Sequence, residues 1–163
     1  MNNRSTVEFD ILYDRYSSMM YRIALARLSS TYDAQDVVHD VFLTYFEKCP
    51  EFDSEEHRKA WFIRSAINRS IDLVRKQSNR QSVLFDEEVN YSHSSGDEES
   101  PIFSMIGAMP DKYKSVVILH YLEGLSVEET ASILKISQSA VKMRLARARE
   151  RLKSSRKEGL DVQ

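Results

Sequence analysis

The chain has 163 residues, 42% of them hydrophobic and 29% charged, with a formal net charge of -2. That length supplies one or two ordinary domains that need neither metal nor disulfide to fold. Four Gly, three Pro and one Cys (Cys49) exclude collagen-like, linker-dominated and disulfide-stapled architectures and fit a reducing, cytoplasmic setting. No apolar run is long enough to span a bilayer, and the segment MNNRSTVEFD has no secretory apolar region, so neither membrane insertion nor export is expected.

In chain order, Phe9, Leu12, Tyr13, Tyr16, Met20 and Ile23 recur at three- and four-residue intervals and predict an amphipathic helix ending near Leu28. Asp33 is the expected cap of a second helix that turns Val37, Val38, Val41, Phe42 and Tyr45 inward and stops at Pro50. A third helix is expected from Glu55 to Arg80, burying Ala60, Ile63, Ile67, Ile71 and Val74. From Arg58 to Arg80, seven cations face Asp72 alone. Ser82 to Pro110 then carries six acids and no Lys or Arg, and its Ser/Gly-rich stretch has too little apolar surface to order itself.

Beyond it, Pro101 to Met109 is weakly periodic, and Pro110 suits the first position of a helix running to Leu122. Gly124 suits a left-handed residue, and Ser126 with Glu129 forms a capping box for a helix to Leu134. Ser137 caps a last helix that buries Val141, Leu145, Ala148 and Leu152. From Gln138 to Glu158, eight cations face two acids. The expected fold is all-α: two small helical domains, 5–81 and 101–155, joined by a flexible acidic linker, 82–100.

Ser126 to Leu145 fits a helix-turn-helix, with Ala131 at the helix crossing, Ile136 under the turn and Lys135 where glycine is common. The outer face of its second helix carries Lys142, Met143, Ala146, Arg147 and Arg149. A helix fits the major groove, where Arg and Lys pair with guanine edges while other cations hold phosphates. On the third helix Arg64, Asn68, Asp72 and Arg75 share a face near Trp61 and Phe62. Amide and carboxylate groups can bond an unpaired base edge, and aromatics can stack on it. The second helix has an acidic edge (Asp33, Asp36, His39, Asp40 and Glu47) that suits a basic protein surface. Asp36-x-x-His39 has no matching second pair for a di-metal site. No phosphate loop, Gly-rich fingerprint, HExxH or nucleophile elbow occurs, so neither catalysis nor a cofactor is expected. On residues alone a stand-alone helix-turn-helix regulator and a helical interaction adaptor also stay open. The first leaves the acidic edge and the basic-aromatic helix unexplained; the second reduces the last helix's cations to solvation.

Three stretches together resemble the sigma-70 family of RNA polymerase sigma factors, specifically the extracytoplasmic-function group. Asp33-Ala-Gln-Asp-Val-Val-His-Asp-Val-Phe resembles the polymerase-binding helix of the sigma2 domain. The stretch from Ala60 to Arg75 resembles its promoter-melting and -10 helix. Met109 to Leu119 and Ala146 to Leu152 resemble sigma4 with its -35 reader. The resemblance implies that Asp33, Asp36, Val37 and Asp40 face the beta-prime clamp helices of core RNA polymerase, with the beta flap as a second contact. It places Asn68 and Asp72 along the separated non-template strand, with the loop from Phe52 to Arg58 at a flipped -10 base. Lys142, Met143, Ala146 and Arg147 fall at -35 bases, and Arg144 and Arg149 at phosphate or structural positions. Promoter DNA and core polymerase are the implied partners, and the family commonly has an anti-sigma factor.

Overall fold

Helix α1 (Asn3–Leu28) is organised by its inward residues: Leu12, Tyr16, Met19, Met20, Ile23 and Ala26 recur every three or four positions and are buried. The computed structural model describes residues 3–83 and 101–161, with side chains placed for 6–79 and 101–155. Phe9 and Tyr13, expected inside, lie at the edge of the core. They are 36% and 45% exposed, and both rings rest on Phe42 at 5.5 and 5.6 Å.

A two-residue connection turns the chain into α2 (Thr31–Lys48). Ser29 takes the left-handed conformation (φ 53°) and its N–H closes on the Leu25 carbonyl at 2.8 Å. Ser30, in extended geometry, then caps α2 by accepting from the Asp33 N–H at 3.2 Å. Asp33 is therefore not the cap. It stands in the first turn, where its charge favours the helix dipole. Val37, Val38, Val41, Phe42 and Tyr45 are all buried as expected. Cys49, left-handed at φ 43°, ends α2 just before Pro50.

Helix α3 (Glu55–Val83) starts where the Ser54 hydroxyl accepts from the His57 N–H at 3.2 Å. It runs past the expected domain edge at 81. Its buried face centres on Phe62, Ile63, Ala66, Ile67 and Ser70. Ala60 and Ile71 are half-buried, and Val74, expected inside, is 46% exposed. Ala66 and Ser70 lack the bulk that marks a core stripe in sequence. Their small side chains permit close helix approach, and the Ser70 hydroxyl is satisfied by the Ala66 carbonyl at 2.7 Å. Phe62, fully buried, gathers the rings of Tyr16 (4.6 Å), Trp61 (5.2 Å), Phe42 (5.4 Å) and Tyr45 (5.4 Å). This aromatic centre joins α1, α2 and α3 into one compact unit.

The remaining helices form a second unit. Helix α4 (Pro101–Gly107) buries Ile106. Pro110 occupies the N-cap of α5 (Asp111–Val117) rather than its first turn, because its ψ of 147° is extended. Its carbonyl accepts from the N–H groups of Tyr113 and Lys114. The single helix expected from Pro110 to Leu122 changes period at Ile118, where a π-helical segment, Ile118–Leu122, begins. Gly124 (φ 69°) is left-handed as expected. The capping box is complete at α6 (Val127–Leu134): Ser126 Oγ accepts from the Glu129 N–H at 3.0 Å and Glu129 reaches back to the Ser126 N–H.

Lys135 is left-handed at φ 57°. Ser137 caps α7 (Gln138–Asp161), accepting from the Ala140 N–H at 3.0 Å. Val141, Leu145 and Ala148 pin α7 to the unit, while Leu152 is only half-buried. Helix α7 continues beyond the expected edge at 155. Among the described residues there is no strand, as the all-α reading requires. The acidic linker expected over 82–100 lies outside the described residues, save for the end of α3.

Candidate nucleic-acid interface

The cap at Ser137 and the buried Val141, Leu145 and Ala148 fix the rotation of α7, which sets what it presents outward. Lys142, Met143, Arg147 and Arg149 are exposed there, Met143 to 52%; Ala146 and Arg144 are half-buried. Two tyrosines of the preceding segment reach this row. Arg149 Nη1 donates to the Tyr121 hydroxyl at 2.8 Å from the π-helical turn. Tyr113 bonds Arg147, which holds its phenol below the usual range, and the Arg151 guanidinium lies 5.1 Å over its ring. Neither tyrosine was singled out from the sequence, because both contacts join positions about thirty residues apart.

On α3, Asn68, Asp72 and Arg75 are exposed and Arg64 is half-buried, at intervals that keep all four near one face. Trp61 and Phe52 are half-buried members of an aromatic group. Phe52 stacks on Tyr45 at 6.4 Å with rings 9° apart, and Trp61 meets both edge-on, at 5.7 Å from Tyr45 and 6.1 Å from Phe52. The segment between α2 and α3 is thereby seated on the core instead of hanging free. Arg58 covers Phe52 at 5.6 Å and pairs with Glu55. Glu55 also accepts from the Tyr16 hydroxyl and from Arg15 Nη1, each at 2.9 Å. The Tyr16 hydrogen bond, followed by Arg58 and Arg15, draws the Glu55 carboxyl below the usual carboxylate range, whereas burial raises the Tyr16 and Tyr45 phenols. This network neutralises the acidity that Asp53-Ser54-Glu55-Glu56 shows in sequence at one of its three carboxylates.

The acidic edge of α2 is more divided than its sequence implies. Asp36 and His39 are exposed. His39 lines a shallow cavity of about 490 Å³ with Tyr13, Tyr21, Arg22 and Gln35. Asp33 accepts from Gln77 Nε2 at 3.3 Å, and Asp40 is held by Arg69. Val37, grouped with these residues as partner-facing, is wholly buried. One turn from Asp33 on a helix whose apolar side packs on α1 and α3, it supports the ridge from beneath and offers no surface to a partner. Among the described residues no group of three His, Cys, Asp or Glu could hold a metal, and no helix is long and apolar enough to cross a membrane.

Two family models match: sigma-70 region 2 over residues 12–80 and sigma-70 region 4 over residues 101–152. The chain is 29% identical to the ECF RNA polymerase sigma factor SigW of Bacillus subtilis, covering 89% of this chain and 87% of SigW. It is 30% identical to the RNA polymerase sigma factor SigV of the same organism, covering 78% of each. The solved structure of CnrH in complex with the cytosolic domain of CnrY superposes with a TM-score of 0.71 at 25% identity, over 96% of this chain and 90% of that one. The helical unit carrying α3, the helix-turn-helix unit carrying α7 and these matches in the same order lead to one conclusion: the chain belongs to the extracytoplasmic-function group of the sigma-70 family of RNA polymerase sigma factors.

Proposed function

We propose that this sigma factor, in directing core RNA polymerase to promoters, divides recognition between two states of the same DNA. Helix α7 reads the closed -35 duplex: Lys142, Met143, Ala146 and Arg147 meet base edges, and Arg144 and Arg149 stand toward phosphates or brace the helix. Helix α3 takes the opened -10 non-template strand: Asn68 and Asp72 bond base edges, Arg64 and Arg75 supply charge, and Phe52 and Trp61 border the site of a displaced base. Binding energy from the captured strand offsets unpairing and unstacking. No covalent step falls to this chain; core polymerase supplies catalysis.

The ridge on α2 docks on the beta-prime clamp helices through Asp36, flanked by Asp33 and Asp40, with the second unit at the beta flap. The working division is a sigma2 domain from 5 to the end of α3, a linker from there to 100 and a sigma4 domain from 101 to the end of α7, acting in the cytoplasm. CnrH bound to the cytosolic domain of CnrY supports a regulatory protein partner of the anti-sigma kind here too.

The observation that carries the reading is that one chain holds an exposed cationic row on a capped, core-anchored helix and, on a separate unit, exposed Asn68 and Asp72 beside half-buried aromatics. A lone helix-turn-helix regulator requires only the first. Transcription with purified core polymerase on a randomised promoter library tests it. Transcripts starting downstream of a shared -35 and -10 pair are expected. Tight duplex binding without polymerase, and no transcripts, would favour the lone regulator.

A further inference from the structure

We propose that Asp40 is a positioning residue. By gripping Arg69 it locks the strand-facing side of α3 to α2, so that the helix meeting polymerase also sets the orientation of the helix meeting DNA. The inference rests on the proposed roles of α2 and α3.

Arg69 Nε donates to Asp40 Oδ2 at 2.7 Å, and Nη2 pairs with the same oxygen at 2.7 Å. The pair is half-buried, with side chains 28% and 32% exposed. At that exposure an ion pair adds little stability. A directed Nε–H bond with Nη2 close to the same oxygen, both held in the rigid plane of one guanidinium, nevertheless fixes direction as well as distance. Arg69 is the neighbour of Asn68, so holding Arg69 fixes the rotation of α3 at the residue assigned to the opened strand. A second tie, Gln77 Nε2 to Asp33 Oδ2 at 3.3 Å, lies two turns along both helices in the antiparallel sense. The two ties bracket Asp72 and Arg75. Asp36 stands between Asp33 and Asp40 on α2, exposed, and is left to face outward. The three carboxylates that look alike in sequence thus separate: Asp33 and Asp40 brace α3, and Asp36 remains for a partner.

The test uses the full chain assembled with core polymerase. Core affinity is measured by competition. Promoter opening is measured at saturating protein by fluorescence of a 2-aminopurine base within the -10 element. Asp40→Asn and Arg69→Asp are each expected to lower opening roughly fivefold, the weight of one half-exposed charge-assisted hydrogen bond. Asp40 flanks the docking ridge, so measuring at saturation removes any change in its core affinity from the readout, and the charge swap Asp40→Arg with Arg69→Asp is expected to restore opening to within about twofold. Arg69→Lys keeps the charge but loses the fork and should open poorly while folding normally. Normal opening at saturation in the single variants, with or without a loss of core affinity, would overturn the proposal, as would a swap no better than the weaker single variant. Asp36→Lys with unchanged core affinity would sink the docking reading instead, and leaves the rescue experiment to judge the tie on its own.

Discussion

The two helical units solve the problem of presenting a helix in different ways. In α1–α3 the presented helix is held by an aromatic centre around Phe62 and by polar ties from other helices: Glu55 to Tyr16 and Arg15, Asp40 to Arg69, and Asp33 to Gln77. In the second unit the presented helix is held by local devices: the Ser126–Glu129 capping box, left-handed Gly124 and Lys135, the Ser137 cap, and an aliphatic core of Val116, Val117, Ile118, Leu119, Val141 and Leu145. A reader of closed duplex needs a helix of fixed shape to enter a groove of fixed shape. A helix that receives unpaired bases needs aromatic edges and polar groups at set distances, and the half-buried rings of Phe52 and Trp61, packed on Tyr45, are proposed to supply the edges.

The largest test of that contrast strikes the aromatic centre. Phe62→Ala should destabilise the α1–α3 unit by about 3–5 kcal/mol, as truncation of a buried Phe does. In a denaturation experiment that follows each unit, the α4–α7 transition should stay in place. A common shift of both would erase the distinction. Next in size, Asp36→Lys should weaken core polymerase binding about 100-fold through like-charge contact, with helical content unchanged.

Arg147→Ala should cost roughly 1–3 kcal/mol at one -35 base pair if the side chain bonds a base edge. Weakening spread evenly over all sequences would make it a phosphate contact. Smaller still, Lys135→Gly should stabilise the second unit by about 1 kcal/mol. It relieves a left-handed non-glycine residue, partly offset by the entropy of glycine, and keeps the backbone hydrogen bonds of the turn.

The smallest effect is on pH dependence. The folded Glu55 carboxyl sits below its usual range, so its contribution is present at neutral pH. It is lost as pH falls from the ordinary carboxylate range through the lower folded value. Glu55→Gln should therefore flatten the acid limb of α1–α3 stability against pH, and an unchanged limb would remove Glu55 from the network.

What could be read from sequence follows the same division. Gly124, the capping box, Lys135 and Ser137 act on backbone within four residues, so their chemistry is visible in a short window. The inward stripe of α2 was legible because five large apolar side chains repeat with the helix. Ala66 and Ser70 were not, since small residues bury themselves by permitting approach rather than by driving it. Ser30 took the cap expected of Asp33 because the turn at Ser29 set the helix start three residues earlier. Val37 shares a motif with Asp33, Asp36 and Asp40, yet motif membership says nothing of which side of the helix faces in. The ties at Asp40 and Glu55 span 29 and 39 residues, beyond any local pattern. The change of helical period at Ile118 likewise has no marker in a short window; there the segment closes onto Leu125, whose N–H donates to the Leu119 carbonyl and whose carbonyl meets His120 Nδ1.

The division of labour itself is tested most directly by comparing base preferences of holoenzymes carrying the native chain, Arg147→Ala or Asn68→Ala on a library randomised through both promoter elements. Arg147→Ala should relax preference only within the -35 duplex, and Asn68→Ala only within the opened -10 strand. If either substitution altered both elements alike, or neither altered any, separate readers of closed and opened DNA could not be the basis of this protein's specificity.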